Sequence, residues 1–206
     1  MWLMTRYKYP RTPHLSWSPG FSSDDIILAD NIFSGNEVVI TEKLDGENTS
    51  IYCDYIHARS INSGKHQSRD WVNSLWGSIK EDIPEGYRIC GENLYAKHSI
   101  KYFNLESYFY VFSIWNGDEC LSWNDTLEYC SLLNLSHVPV LYEGVFSEEV
   151  LPTLDFDKQE GYVVRLKEGF SLADFGSSVA KYVRKNHVQT DKHWLHKKVE
   201  KNLLRC

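Results

Sequence analysis

Six short runs rich in β-branched and aromatic residues, with helices only scattered between them, set the limits on how this chain can fold. They cover residues 37–40, 50–53, 87–91, 107–115, 160–166 and 178–184, and they read as strands. Helical spacing of apolar residues is confined to three places. Residues 71–81 form one, closed by Ile83-Pro84-Glu85-Gly86. Residues 124–135 form another, with Asn124 or Ser122 as N-cap. The third, 190–204, sets Trp194, Leu195, Val199 and Leu203 on one face and lysines on the other. Pro10, Pro13 and Pro19 make the stretch up to Gly20 extended or irregular. Strands dominate and no βαβ alternation appears, so the expected class is α+β.

A chain of 206 residues can bury one substantial core, and no repeat, low-complexity block or Pro/Gly linker divides it. A single domain over 1–206 is expected, with 185–206 as a basic helical tail. No apolar run reaches the about 18 residues of a membrane span, and the start has no continuous apolar stretch of signal-peptide type. These features predict a cytoplasmic protein with no membrane partner. Cys53, Cys90, Cys120, Cys130 and Cys206 are scattered, odd in number and form no C-x-x-C pair, which reads as reduced thiols. The net charge of −6 is unevenly spread. From Ala180 onward, eight Lys or Arg stand against Asp191 and Glu200, so the tail is basic and the body acidic. Such a tail suits a phosphate backbone, although a solvated helix face would have the same composition.

Chemistry concentrates at Lys43-Leu44-Asp45-Gly46, between the apolar 38–42 and the polar-to-apolar 47–52. A strand-end lysine followed three residues later by glycine suits an amine attacking phosphorus, since the glycine permits close backbone approach. Only the neutral amine is a nucleophile, and desolvation or nearby cations lower a lysine's pKa toward that state. Further along stand Gly91-Glu92-Asn93-Leu94-Tyr95-Ala96-Lys97-His98 and the aromatic Tyr110-Val111-Phe112-Ser113-Ile114-Trp115. Glu160-Gly161-Tyr162-Val163-Val164-Arg165 and Val179-Ala180-Lys181-Tyr182-Val183-Arg184 follow.

This ordered set resembles the motifs of the covalent nucleotidyltransferases, the polynucleotide ligases and capping enzymes. The wording around Glu92 and Lys181 is most similar to the nick-sealing RNA ligases of phages and bacteria. The resemblance implies a nucleotidyltransferase core of antiparallel sheets around a nucleotide cleft, with helices outside. It implies ATP and Mg²⁺ (or Mn²⁺) as cofactors and RNA ends or a nicked duplex as partner. The reaction would join a 3′-hydroxyl to a 5′-phosphate through a lysyl–AMP and an RNA-adenylate.

By the same resemblance, Lys43 is the nucleophile and Glu160 contacts the divalent cation. Lys181 holds the α-phosphate, and Glu92 takes the ribose hydroxyls. Phe112 stacks on adenine, the backbone beside Glu42 reads it, and Arg59 contacts the nucleotide and the RNA end. Gly46 would be hard to replace because a side chain would strike the nucleotide. Each residue has a plainer reading: Glu42 as a solvent-facing strand residue, Arg59 as a surface arginine, Phe112 as core. Arg165 is left outside the catalytic set.

The chain departs from the family at two places. Ser113 stands where many relatives have Asp, and Val183 stands where many have a second lysine, which Arg184 or Lys185 would have to replace. Few residues follow Lys181, so no appended OB-fold is expected, and RNA binding would rest on the tail, a protein partner or oligomerisation. A DNA ligase core, a capping guanylyltransferase and a non-catalytic end-binding module are the alternatives. His187, His193 and His196 lack an H-E-x-x-H pattern and have lysine neighbours, which disfavours a metal site. Gly20, Gly35 and Gly46 compose no Walker loop.

Overall fold

Val38, Val39 and Ile40 are fully buried, and they fix the first strand at the centre of a sheet. In the computed structural model, which describes residues 5–29, 31–155, 157–185 and 199–205, strand β1 spans Glu37–Lys43. It lies between β8 (Val140–Val145) and β9 (Gly161–Leu166), and β11 (Val179–Val183) closes the far edge. All three pairings are antiparallel. The register sets Lys43 opposite Gly161 and Lys181 opposite Val163.

A second sheet carries β2 (Glu47–Ile51), β3 (Ile56–Ala58), β4 (Tyr87–Asn93) and β5 (Phe109–Asn116). The short β6 (Glu119–Cys120) and β10 (Phe170–Ser171) extend it, in the order β10-β6-β5-β4-β2-β3. The pairings are antiparallel except that β7 (Ser136–His137) lies parallel to β5. The chain passes from the first sheet to the second at Leu44-Asp45-Gly46, between β1 and β2. A glycine is required there by the protein itself. A Cβ on Gly46 would lie 2.5 Å from the Asn93 carbonyl oxygen, far inside contact distance.

Two helices flank the sheets. Helix α1 (Asp70–Ile79) buries Val72 and Ile79 against Ile51, Ile89 and Ile114. Helix α2 (Trp123–Leu132) begins at Ser122, whose hydroxyl accepts the Asp125 amide at 3.1 Å. That serine, rather than Asn124, is the N-cap. A four-residue helix, α3 (Phe175–Ser178), leads into β11. The α+β class is thus as expected, with two mainly antiparallel sheets and flanking helices.

Three features depart from the sequence reading. Strands β3, β6, β7, β8 and β10 were not foreseen: all but β8 are two or three residues long, and β8 is an edge strand whose exposed and half-buried positions hide its pattern. The proline-rich N-terminal stretch is irregular yet anchored. Pro13 and Leu15 bracket Lys181 by backbone hydrogen bonds, and the Gly20 amide donates to Val183. The helix expected over 190–204 does not extend into its described part. Residues 199–205 run extended, with Lys201 bridged to Ala96 and Leu204 to Leu105. The remainder of that segment, and with it His187, His193 and His196, lies outside the described residues, as does most of the 185–206 tail. Among the described residues, no helix is long and apolar enough to cross a membrane.

Candidate active site

Lys43 is the last residue of β1 and Glu160 immediately precedes β9, so the antiparallel pairing brings the two side chains together. The ammonium donates to Glu160 Oε1 at 2.5 Å, and Glu160 itself is almost fully buried. Burial disfavours the charged amine. The carboxylates of Glu160, Glu92 and Asp45 outweigh burial and raise the Lys43 pKa above its ordinary value. The lowered pKa that a nucleophilic lysine requires is therefore not the state seen here. The site as it stands holds Lys43 as a cation.

These residues line one cavity of about 690 Å³ between the two sheets. Glu92, from β4, accepts the Gly46 amide at 3.0 Å. Its pKa is pushed up to about 8 by burial and by Glu160, against the pull of Lys43. Lys181, from β11, has its pKa pushed down to about 8 by burial and by Lys43. Glu42 also lines the cleft, and burial raises its pKa. Arg59 follows β3 as an exposed residue at the cleft wall.

Phe112 enters the same cavity for a specific reason. The β4–β5 register shifts between Cys90 and Gly91, leaving Phe112 as the extra residue of a bulge, and bulges re-aim side chains. Its ring meets Tyr9 edge-on at 5.1 Å. All eight residues singled out from the sequence, namely Glu42, Lys43, Gly46, Arg59, Glu92, Phe112, Glu160 and Lys181, border this one cavity.

The two departures from the family pattern receive local accounts. Ser113 is buried at the border of the cleft, and its hydroxyl accepts the Trp115 indole N–H at 3.1 Å. Neither Arg184 nor Lys185 is among the described residues lining the cleft. Arg165 is buried, donates to the carbonyls of Leu121 and Leu166, and lies over the Trp123 and Phe170 rings. It also borders the cleft.

Several cleft residues escaped sequence reasoning. Arg69 grips Glu47 with two hydrogen bonds, of 2.7 and 2.5 Å, and donates to the Gly64 carbonyl. Asp45 is a structural hub: its carboxylate accepts the Ser99 amide and hydroxyl and the Ile100 amide. Tyr9, Arg11, Val199 and Glu200 reach the cleft from the two ends of the chain. No local spacing signals Arg69 or these four, whereas Asp45 belongs to the Lys43-Leu44-Asp45-Gly46 turn already singled out. Among the described residues, no group of three or more His, Cys, Asp or Glu could hold a metal ion. Glu160 supplies one buried carboxylate facing the cleft, which suits a hard cation that takes its other ligands from phosphates and water.

Comparison with known proteins bears on this geometry. The RNA ligase family model matches residues 36–183. No curated protein matches the chain. Among solved structures, a mutant of Naegleria gruberi RNA ligase with ATP and Mn is similar at 18% identity and a TM-score of 0.53. That alignment covers 88% of this chain and 63% of that one. The Naegleria gruberi RNA ligase with PPi gives 19% identity and a TM-score of 0.52, over 87% of this chain and 62% of that one. A protein of Aquifex aeolicus assigned as an ATP-dependent DNA ligase gives 22% identity and a TM-score of 0.50, over 73% of this chain and 44% of that one. The chain thus spans between about half and under two thirds of the length of these proteins, and at such identities the likeness is one of fold.

Proposed function

The chain belongs to the RNA ligase family, and on that premise we propose that it joins RNA ends with ATP through a covalent Lys43–AMP. The observation that carries this reading is the convergence of Lys43, Glu160, Glu92, Lys181 and Phe112 on a single cleft. Covalent catalysis divides one difficult phosphoryl transfer into easier ones. Lys43 attacks the α-phosphorus of ATP, forming the N–P bond as the bond to pyrophosphate breaks. The AMP passes next to the 5′-phosphate of RNA. A 3′-hydroxyl then attacks that phosphate and releases AMP.

Residues of this chain supply positioning and charge in each step. Phe112 offers its ring to adenine and the backbone beside Glu42 lies against the base. Glu92 accepts from the ribose hydroxyls, and Lys181 places a cation at the α-phosphate. Arg59 meets the far phosphates or the RNA end. Glu160 would hold a divalent cation, Mg²⁺ or Mn²⁺, which when bound neutralises the charge on the transferring phosphate. With its Glu160 contact weakened, Lys43 would lose the first of the carboxylates that raise its pKa, leaving Glu92 and Asp45. The reading treats the chain as one adenylyltransferase domain, with RNA held by basic side chains or with the help of a protein partner.

Mass spectrometry after incubation with ATP and magnesium tests the proposal. The expected result is a mass gain of one AMP, reversed by pyrophosphate and absent in Lys43→Ala. A folded protein, free of bound AMP, that gains no adduct would overturn it. Matched nicked RNA and DNA duplexes then identify the acceptor, and RNA is the one expected.

A further inference from the structure

Residues 199–205 lie outside the span that matches the family, yet they form a strap against the residues that hold the nucleophile's turn. Asn202 is its anchor. The side chain is fully buried, and its amide nitrogen donates to the Leu94 carbonyl at 2.7 Å. Its amide oxygen accepts the Tyr102 backbone N–H at 3.0 Å. The Asn202 backbone N–H donates to Tyr95, and its carbonyl accepts the Tyr108 hydroxyl. Beside it, the Leu203 amide donates to the Tyr102 carbonyl at 3.0 Å. Both backbone polar groups of Tyr102 are thus held by the strap.

Tyr102 carries this restraint to the reactive lysine. Its hydroxyl accepts the Asp45 amide at 2.9 Å, two residues from Lys43. The Leu94 carbonyl, held from the other side of Asn202, lies two residues beyond Glu92. We propose that Asn202 is a positioning residue for the adenylylation chemistry, setting the Lys43 turn through Tyr102 and the end of the Glu92 strand through Leu94. The inference rests on the ligase reading for its chemical consequence and on the hydrogen-bond chain for its structural one. Asn202 touches no reacting atom.

The geometry has a physical rationale. A reacting amine must sit within a few tenths of an ångström of its line of attack, and a displacement of about 1 Å costs on the order of a hundredfold in rate. The Leu44-Asp45-Gly46 turn joins the two sheets and belongs to a strand of neither. Tyr102 caps its Asp45 amide, and the 94–105 segment that carries Tyr102 contains no helix or strand. The strap supplies that segment with the partners a sheet neighbour would otherwise provide.

Four proteins are compared: wild type, Asn202→Ala, Tyr102→Phe and the double variant that closes the cycle. Two readouts are used. Amide hydrogen exchange at Asp45, followed by NMR without nucleotide, should be faster in both single variants than in the wild type. Unchanged exchange at Asp45 in a folded Asn202→Ala protein overturns the inference, whatever the activity of the enzyme. The second readout is single-turnover adenylylation. Each single variant should lose about tenfold or more in rate at saturating ATP, with a smaller change in KM. The double variant should be little worse than either single, because both act through one chain of contacts. Additive losses, or a change confined to KM, would also overturn it. Tyr102→Phe removes one hydroxyl and keeps the ring, so it reports even where Asn202→Ala fails to fold. An absence of adduct in the wild type would instead sink the ligase reading and leave the exchange result to decide the positioning role.

Discussion

Lys43 and Glu160 stand at adjoining ends of the paired strands β1 and β9, and the ammonium of one donates to the carboxylate of the other at 2.5 Å. A buried carboxylate so placed stabilises the charged lysine, which is opposite to what nucleophilic attack needs. Glu160→Gln should therefore lower the Lys43 pKa. Labelling of Lys43 by an amine-selective reagent, followed by peptide mass spectrometry across pH, should show the half-reaction point moved to lower pH. Adenylylation should nevertheless fall sharply, because the cation would lose its protein ligand.

Glu92 has its pKa raised from 4.5 to about 8, chiefly by burial and then by Glu160. Between those values the folded protein holds a proton that the unfolded chain has released. Stability should consequently fall as pH rises through that window. Melting temperatures measured from about pH 5 to about pH 9 should decline less in Glu92→Gln than in the wild type, because glutamine carries no proton to lose.

Lys181 behaves in the converse sense. Its pKa is pushed down to about 8 by burial and by Lys43, so its charge is lost as pH rises past that value. Affinity for an ATP analogue that cannot be cleaved between its α- and β-phosphates should weaken over the same range. Lys181→Arg keeps the charge at high pH, and binding by that variant should hold to higher pH in calorimetric titration.

A Cβ on Gly161 would lie 1.9 Å from the Tyr182 carbonyl oxygen, and one on Gly46 2.5 Å from that of Asn93. Neither obstacle is a flexible side chain. Gly161→Ala and Gly46→Ala should each cost about 1–3 kcal/mol or more in urea unfolding. Gly64→Ala, where nothing lies within 4 Å, should change stability by less than about 0.5 kcal/mol.

The parts of the fold legible in the sequence were those whose signal is local. Buried strands such as Val38-Val39-Ile40 announce themselves by composition, and the Ser122 cap lies directly before its helix. The candidate site residues could be named because they fall in ordered motifs, and the structure brings all eight to the border of one cleft. What could not be read depends on contacts between distant segments. Gly46 is excluded from carrying a side chain by Asn93, a clash within the protein where the resemblance implied one with the nucleotide. The raised pKa of Lys43 depends on three carboxylates, of which Glu160 lies 117 positions away in sequence. The extended path of 199–205 replaces an expected helix because Asn202 finds its partners at Leu94 and Tyr102. Apolar periodicity carries no trace of them.

The chain crosses between its two sheets at Leu44-Asp45-Gly46, and the groups assigned to the nucleotide are divided by that seam. Lys43, Glu160 and Lys181 stand on or beside strands of one sheet, while Glu92 and Phe112 stand on the other. An AMP bonded to Lys43 would be welded to the first sheet and gripped by base and ribose on the second. It would act as a strut across the joint, so the charged intermediate should resist heat and proteolysis better than the empty protein without any free nucleotide in solution. Discharging the strut to RNA would return the joint to its looser state at the moment the product must leave.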